Sequence, residues 1–322
     1  MLKPTIPTAV LLAAFLLQAA DRPIPAGATP VNHGAMGAGE SPVWHPDKGL
    51  FFSGGGRTTR RDSGGRNHVY REKSGTNGLL FDGQGRLVAC ESGTRRVTRT
   101  EPDGTITVLA DLYEGRQFNS PNDLSIDSKG RIYFTDPRYG NRDTMVMKDQ
   151  EGKLVEGVYR IDAPGKVTRI ITHEVDRPNG ILVSPGSEFL YVADNNNNKI
   201  GAQRQLVRFR LLPNGAIESK SKRVIFDWGA GRGPDGLEID QQGRLYVAGG
   251  LNKPNLPFET ADKFKGGIYI LSPKGKLLDF IPIPVDEVTN CGFGGPDWKI
   301  LFITAGGTLW SIPVSIAGYH RF

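Results

Sequence analysis

Pro121-Asn122-Asp123-Leu124-Ser125-Ile126 runs into Asp127-Ser128-Lys129-Gly130, and Arg131-Ile132-Tyr133-Phe134-Thr135-Asp136-Pro137 returns from it. The two apolar runs have strand character, and the Asp-to-Gly tetrapeptide between them reads as a turn. The plan recurs at Thr76-Asn77-Gly78-Leu79, with the turn Asp82-Gly83-Gln84-Gly85 and the return Leu87-Val88-Ala89. It recurs again at Pro234-Asp235-Gly236-Leu237, with the turn Asp240-Gln241-Gln242-Gly243 and the return Leu245-Tyr246-Val247. In all three the turn begins five residues after a polar residue at the head of the first strand.

Looser copies begin at Glu40-Ser41-Pro42-Val43-Trp44, at Pro178-Asn179-Gly180-Ile181-Leu182 and at Asn290-Cys291-Gly292-Phe293. The heads stand at positions 40, 77, 122, 179, 235 and 290. A repeat of about 40 to 55 residues that holds one apolar hairpin, with room for two further strands, is the size of a propeller blade. Six copies predict an all-β, six-bladed β-propeller with four-stranded blades around a central channel. Runs such as 157–161, 206–210 and 267–271 are candidates for the outer strands.

The composition agrees with short strands and many turns: 42 glycines and 22 prolines stand among 322 residues, without the strict triplet period of collagen. Hydrophobic residues at 38 % exclude general disorder. The net charge of +6 is modest, and the densest basic stretch, Arg57 to Arg66, is broken by glycines and lacks interleaved aromatic residues. A nucleic-acid partner is therefore not expected. Lys3 followed by the apolar run Ala9 to Leu17 and the small residues Ala19-Ala20 reads as a signal peptide over residues 1–20, implying a periplasmic or secreted protein. No later run approaches membrane length, so no integral membrane domain is expected after signal removal. Residues 21–322 then form a single domain. Cys90 and Cys291 lack metal-ligand spacing and read as free buried thiols.

In a propeller, equivalent positions of the innermost strands form a ring around the axis. The heads here are Glu40, Asn77, Asn122, Asn179, Asp235 and Asn290, and each carries a side-chain oxygen. Asn-Gly and Asp-Gly also favour hairpin turns. Each copy, however, already has its turn five or six residues later, so the heads belong at the opposite end of the strand. A ring of carboxylates and carboxamides without His or Cys offers hard oxygen donors, which suits Ca2+, with other divalent cations as alternatives. The second strands return to the same face and end in Glu91-Ser92, Asp136-Pro137 and Asp194-Asn195, an outer ring that either lines a substrate pocket or caps turns. Asn119 and Tyr139 lie beside it in sequence as further substrate-contact candidates. No G-x-S-x-G elbow or zinc-protease histidine pair offers a competing catalytic design.

The motifs Gly39-Glu40-Ser41-Pro42-Val43-Trp44, Asn119-Ser120-Pro121-Asn122-Asp123 with Tyr133-Phe134-Thr135-Asp136-Pro137, Pro178-Asn179-Gly180 and Pro234-Asp235-Gly236-Leu237, in this order, resemble the SMP-30/gluconolactonase/luciferin-regenerating-enzyme family over roughly residues 31 to 312. The resemblance implies a six-bladed propeller with a catalytic divalent cation, commonly calcium, on its axis. It also implies Glu40, Asn122, Asn179 and Asp235 as ligands, with Asp235 as the acid/base residue. Members hydrolyse sugar lactones and related lactones, and some relatives cleave organophosphates. The chain departs from the pattern at Ser92, where bacterial gluconolactonase-like sequences often carry histidine, and at Ser120, where animal members carry an arginine that contacts substrate. The expectation is a calcium-dependent lactonase acting on a small-molecule lactone or ester. Substrate contacts fall to Asn77, Glu91, Asn119, Asp136, Tyr139 and Asn290. An aryl esterase or phosphotriesterase on the same metal site, and a non-catalytic propeller stabilised by calcium, are the alternatives.

Overall fold

The computed structural model describes residues 22–320. The signal-peptide reading of residues 1–20 lies outside them. Six four-stranded antiparallel sheets, each built outward from the strand at or just after a head residue, form the blades. The first comprises Glu40–His45, Gly49–Gly54, Arg57–Arg61 and Asn67–Arg71, and the second Thr76–Phe81, Leu87–Glu91, Arg96–Thr100 and Ile106–Ala110. The third comprises Leu124–Ile126, Ile132–Asp136, Gly157–Ala163 and Lys166–Ile171, and the fourth Pro178–Val183, Phe189–Asn195, Arg204–Leu211 and Ile217–Asp227. The fifth comprises Pro234–Ile239, Leu245–Gly249, Gly267–Leu271 and Leu277–Pro282. The innermost strands touch in cyclic order, the sixth against the first. The propeller expectation therefore holds, and the outer-strand candidates occupy third positions.

The sixth blade is composite. Val288–Gly294, Ile300–Ala305 and Gly307–Pro313 are its inner three strands, and Val31–Ala38 from the other end of the described chain pairs antiparallel with Gly307–Pro313 as the outermost. This closes the ring with backbone hydrogen bonds. Among the described residues the only helical segments are the 3-10 turns Arg142–Thr144 and Pro185–Ser187.

The repeated turn is a clasp. Asp127 Oδ1 accepts from the amides of Lys129 and Arg131 while Oδ2 takes Arg131 Nε at 2.6 Å. Asp240 does the same with Gln242, Arg244 and Arg244 Nε at 2.6 Å, and Asp82 with Gln84, Arg86 and Arg86 Nη2 at 2.7 Å. One carboxylate thus satisfies the turn's inward amides and a charged neighbour, which explains why Asp and Gly-Arg recur together. Between blades the interior is apolar: Tyr246, Ile268, Phe293 and Ile303 pack the fifth blade on the sixth, and Phe118, Phe134, Val88 and Tyr159 pack the second on the third. Cys90 and Cys291 are buried free thiols, as read from the sequence.

Candidate functional site

Five of the six head residues lie within the innermost strands, Asn122 lies two residues before its strand, and Gly78, Gly180 and Gly236 are absent from the left-handed backbone positions. These glycines are required by proximity to the next blade. Gly78 N donates to Asn122 O at 2.7 Å. A Cβ on Gly180 would lie 2.1 Å from Asp235 O, and one on Gly236 would lie 2.0 Å from the Asn290 carboxamide. Removing the side chain just after the head is what lets adjacent heads approach one another.

A register irregularity adds to this. Thr76 pairs with Glu91 but Leu79 with Ala89, and Pro178 pairs with Asp194 but Ile181 with Val192. In the third blade Asn122 N donates to Thr135 O, Asp123 N to Thr135 Oγ1, and Thr135 N to Asp123 O, so two residues face one. Such bulges interrupt the alternation of faces and re-aim side chains.

The ring that results is acidic and largely enclosed. Asn290 Nδ2 donates to Glu40 Oε2 at 3.1 Å and to Ser41 Oγ at 3.2 Å, tying the sixth blade to the first. Asp235 hydrogen-bonds with the Asn179 side chain, and its charge acts on Glu40. Burial holds the Glu40 carboxyl well above the usual carboxylate range, and the neighbouring Asp235 and Asp123 charges add to the displacement. Asp235 is pushed up to about 8, by burial first, with Asp123 and Glu287 adding while Arg232 and Asn179 oppose. Arg232 itself is gripped by Glu259 through two bonds of 2.5 and 2.9 Å and by Glu287 at 2.8 Å. Asp123, which the sequence reading did not single out, is a third carboxylate here, raised to about 7 by burial against amide bonds from Leu124 and Ile181.

Tyr139 joins this group. Its hydroxyl donates to Asn195 O at 3.1 Å and hydrogen-bonds with the Asn179 side chain, and Arg177 lies 5.4 Å over its ring. Asn122 is buried beside Asp123, and Asn77 Oδ1 is buried with no hydrogen-bond partner in the protein. Below the ring a channel of about 110 Å³ is lined by Ser41, Asp123, Ser125, Glu238, Asn290 and Cys291. At its far end Tyr319 N donates to Ile239 O, and His320 stacks on Trp298 at 4.4 Å.

Three expected substrate contacts have their polar atoms engaged within the protein. Glu91 is fully buried, with Arg71 at 2.6 Å, Arg96 at 2.7 Å and both Thr94 and Thr98 on its oxygens. Asp136 accepts from Asn119 N and Ser120 N at 2.8 and 2.7 Å. Asn119 spends its amide on Asp136 O and Val155 O and its oxygen on Val146 N and Met147 N. All three are saturated by the protein. Asp194 repeats the pattern of Asp136, capping Asp176 N and Arg177 N. Asp136 and Asp194 thus hold the amides two and three residues before a head and cap backbone, whereas Glu91 is held by side chains.

Among the described residues no three His, Cys, Asp or Glu side chains alone form a metal-binding group. The ring's donors are two carboxylates completed by carboxamides. That set fits a hard cation: Glu40, Asp123 and Asp235 form no ion pair among the described residues, and the charges of Asp123 and Asp235 raise Glu40 while that of Asp123 raises Asp235, a cost that a divalent ion removes.

A six-bladed propeller with an acidic, carboxamide-rich ring on its axis defines the class of protein. Its family follows from sequence comparison: the SMP-30/Gluconolactonase/LRE-like region matches residues 38–307, and the chain belongs to that family. It is 34 % identical over 207 residues to a gluconolactonase of Zymomonas mobilis, covering 62 % of this chain but only 51 % of that relative. A pentonolactonase of Haloferax volcanii is 28 % identical over 278 residues, covering 84 % of this chain and 81 % of the relative. Among solved structures, a gluconolactonase of Xanthomonas campestris superposes with a TM-score of 0.74 at 29 % identity, over 93 % of this chain and 92 % of the other.

Proposed function

We propose that this protein hydrolyses a lactone, in the first instance a sugar lactone, with a divalent cation, Ca2+ before others, held by Glu40, Asn122, Asn179 and Asp235. The observation that carries the reading is the convergence of Glu40 and Asp235, from blades nearly two hundred positions apart in the chain, on one enclosed point with carboxamides around them. When bound, such a cation would polarise the ring carbonyl and stabilise the oxyanion that develops on it. Asp235 takes a proton from the attacking water and returns it to the ring oxygen as the carbonyl carbon–oxygen bond breaks, so a hydroxy acid leaves. Direct attack by Asp235 is the alternative, and labelled solvent oxygen appearing in Asp235 during a single turnover distinguishes it. Asn290 keeps Glu40 oriented, Tyr139 borders Asp235 and Asn179, and Asn77 Oδ1 offers an acceptor to a substrate hydroxyl. The N-terminal signal reading makes the proposed location periplasmic or extracellular, checked by fractionation and N-terminal sequencing of the mature chain.

The test is a panel of δ- and γ-lactones, phenyl acetate and a phosphotriester, run on metal-stripped protein with calcium, magnesium, manganese or zinc restored. Lactone turnover is expected only with a divalent ion, and Asp235→Asn is expected to lose about a thousandfold or more in kcat, the scale of a general base combined with a ligand. Full turnover after stripping, or an unimpaired Asp235→Asn, would overturn the mechanism. Turnover of the aryl ester or phosphotriester alone would move the activity to that class.

A further inference from the structure

Just below the heads, the next residue of each innermost strand forms a second ring: Ser41, Gly78, Asp123, Gly180, Gly236 and Cys291. Asp123 is its one charged member. Its carboxylate is fixed by the Leu124 amide at 2.8 Å and by the Ile181 amide of the neighbouring blade, and no basic side chain among the described residues pairs with it. It lines the channel and acts electrostatically on both Glu40 and Asp235. The three carboxylates still do not form one metal-binding group.

We propose that Asp123 is a positioning residue for the axial cation, a fixed third negative charge one layer beneath the ligands that strengthens multivalent-cation binding without itself being a ligand. This rests on the reading that the ring holds a cation. Attraction between a carboxylate and a divalent ion falls only inversely with distance, and in an enclosed interior it is weakly screened, so a charge outside bonding range still counts. In the cation-free protein the same carboxyl is buried with no basic partner, so its removal should weaken cation binding without lowering the stability of the stripped protein, which sets it apart from a residue that merely supports the fold.

The experiment compares full-length wild type, Asp123→Asn, Asp123→Glu and Glu40→Gln after metal stripping, using calcium and terbium titrations by calorimetry and thermal unfolding of the stripped proteins. Asp123→Asn is expected to weaken calcium binding about tenfold or more. It should also narrow the preference for trivalent terbium over calcium and leave the stripped protein's Tm unchanged or higher. Asp123→Glu, which keeps the charge, should recover most of the affinity. A calcium Kd within twofold of wild type in Asp123→Asn, or a lowered Tm with unchanged Kd, would overturn the proposal. Asp123→Ser serves the same comparison should the asparagine variant not fold. Glu40→Gln should abolish saturable calcium binding. If it does so while Asp123→Asn binds normally, only the role of Asp123 fails; wild type without saturable calcium binding would remove the cation reading and this proposal together.

Discussion

Carboxylates of one chemical type are displaced in opposite directions in this molecule, and their neighbours decide which. Burial raises Glu91, but Arg96, Thr98, Arg71 and Thr94 outweigh it and hold the group below the usual range. Asp123 and Asp235 rise from 3.8 to about 7 and about 8 because burial finds no comparable compensation. The raised groups bind protons in the folded state that the unfolded chain has released near pH 4. Their contribution to the stability of the cation-free protein is therefore present at low pH and lost as pH rises from about 4 to about 8, opposite in sign to that of Glu91. A cation must displace those protons, so calcium affinity should climb between pH 6 and 8 and level off above, as calorimetric titration across that range would show. Affinity flat over the interval would mean that these carboxylates are already ionised. An acid at a strand end was legible in the sequence at Glu91 and Asp136 as well as at Asp235. Its use was not, because that depends on partners such as Arg71 and the Asn119 amide, brought together by pairing between strands and across loops.

The innermost strand is the element that turns a repeat into a site. Its polar head, with a following glycine in three copies, was readable as a pattern, and the hairpin-turn explanation was correctly set aside, because each copy has its own turn farther along. What the glycine does was not readable: the contact that excludes a Cβ comes from the next blade, as between Gly180 and Asp235 O. Gly180→Ala is expected to cost about 1–3 kcal/mol by forced displacement of packed backbone. It should lower kcat through Asp235 while leaving blades remote from the contact native-like, which denaturant unfolding and turnover measured together would check. Asp123 escaped the sequence reading for a related reason. A strand read as strictly alternating sends consecutive side chains to opposite faces. The doubled pairing opposite Thr135 breaks that rule, and Asp123 lines the channel beneath the heads.

At the scale of the molecule, closure rests on Val31–Ala38, which completes the sixth blade from the far end of the described chain. Deleting residues 22–38 would leave Gly307–Pro313 as an open edge and separate the sixth blade's outer face from its cover. The expected outcome is a lower Tm, a broader transition and association visible by size-exclusion chromatography; a monomer with wild-type melting would show that the ring closes without this strand. Sequence alone determined the blade count, the four-strand unit and the equivalence of the six heads Glu40, Asn77, Asn122, Asn179, Asp235 and Asn290. These follow from local periodicity and from the rotational equivalence of repeats, which survive without knowledge of long-range contacts. Tertiary structure alone decided that the outermost strand of the sixth blade comes from the opposite end, that Glu91 is held by arginine and threonine side chains while Asn119 and Asp136 serve the backbone, and that Asp123 belongs to the charged centre. Each depends on which distant atoms share a few cubic ångströms, and burial and electrostatic energies are set by that proximity and not by residue type.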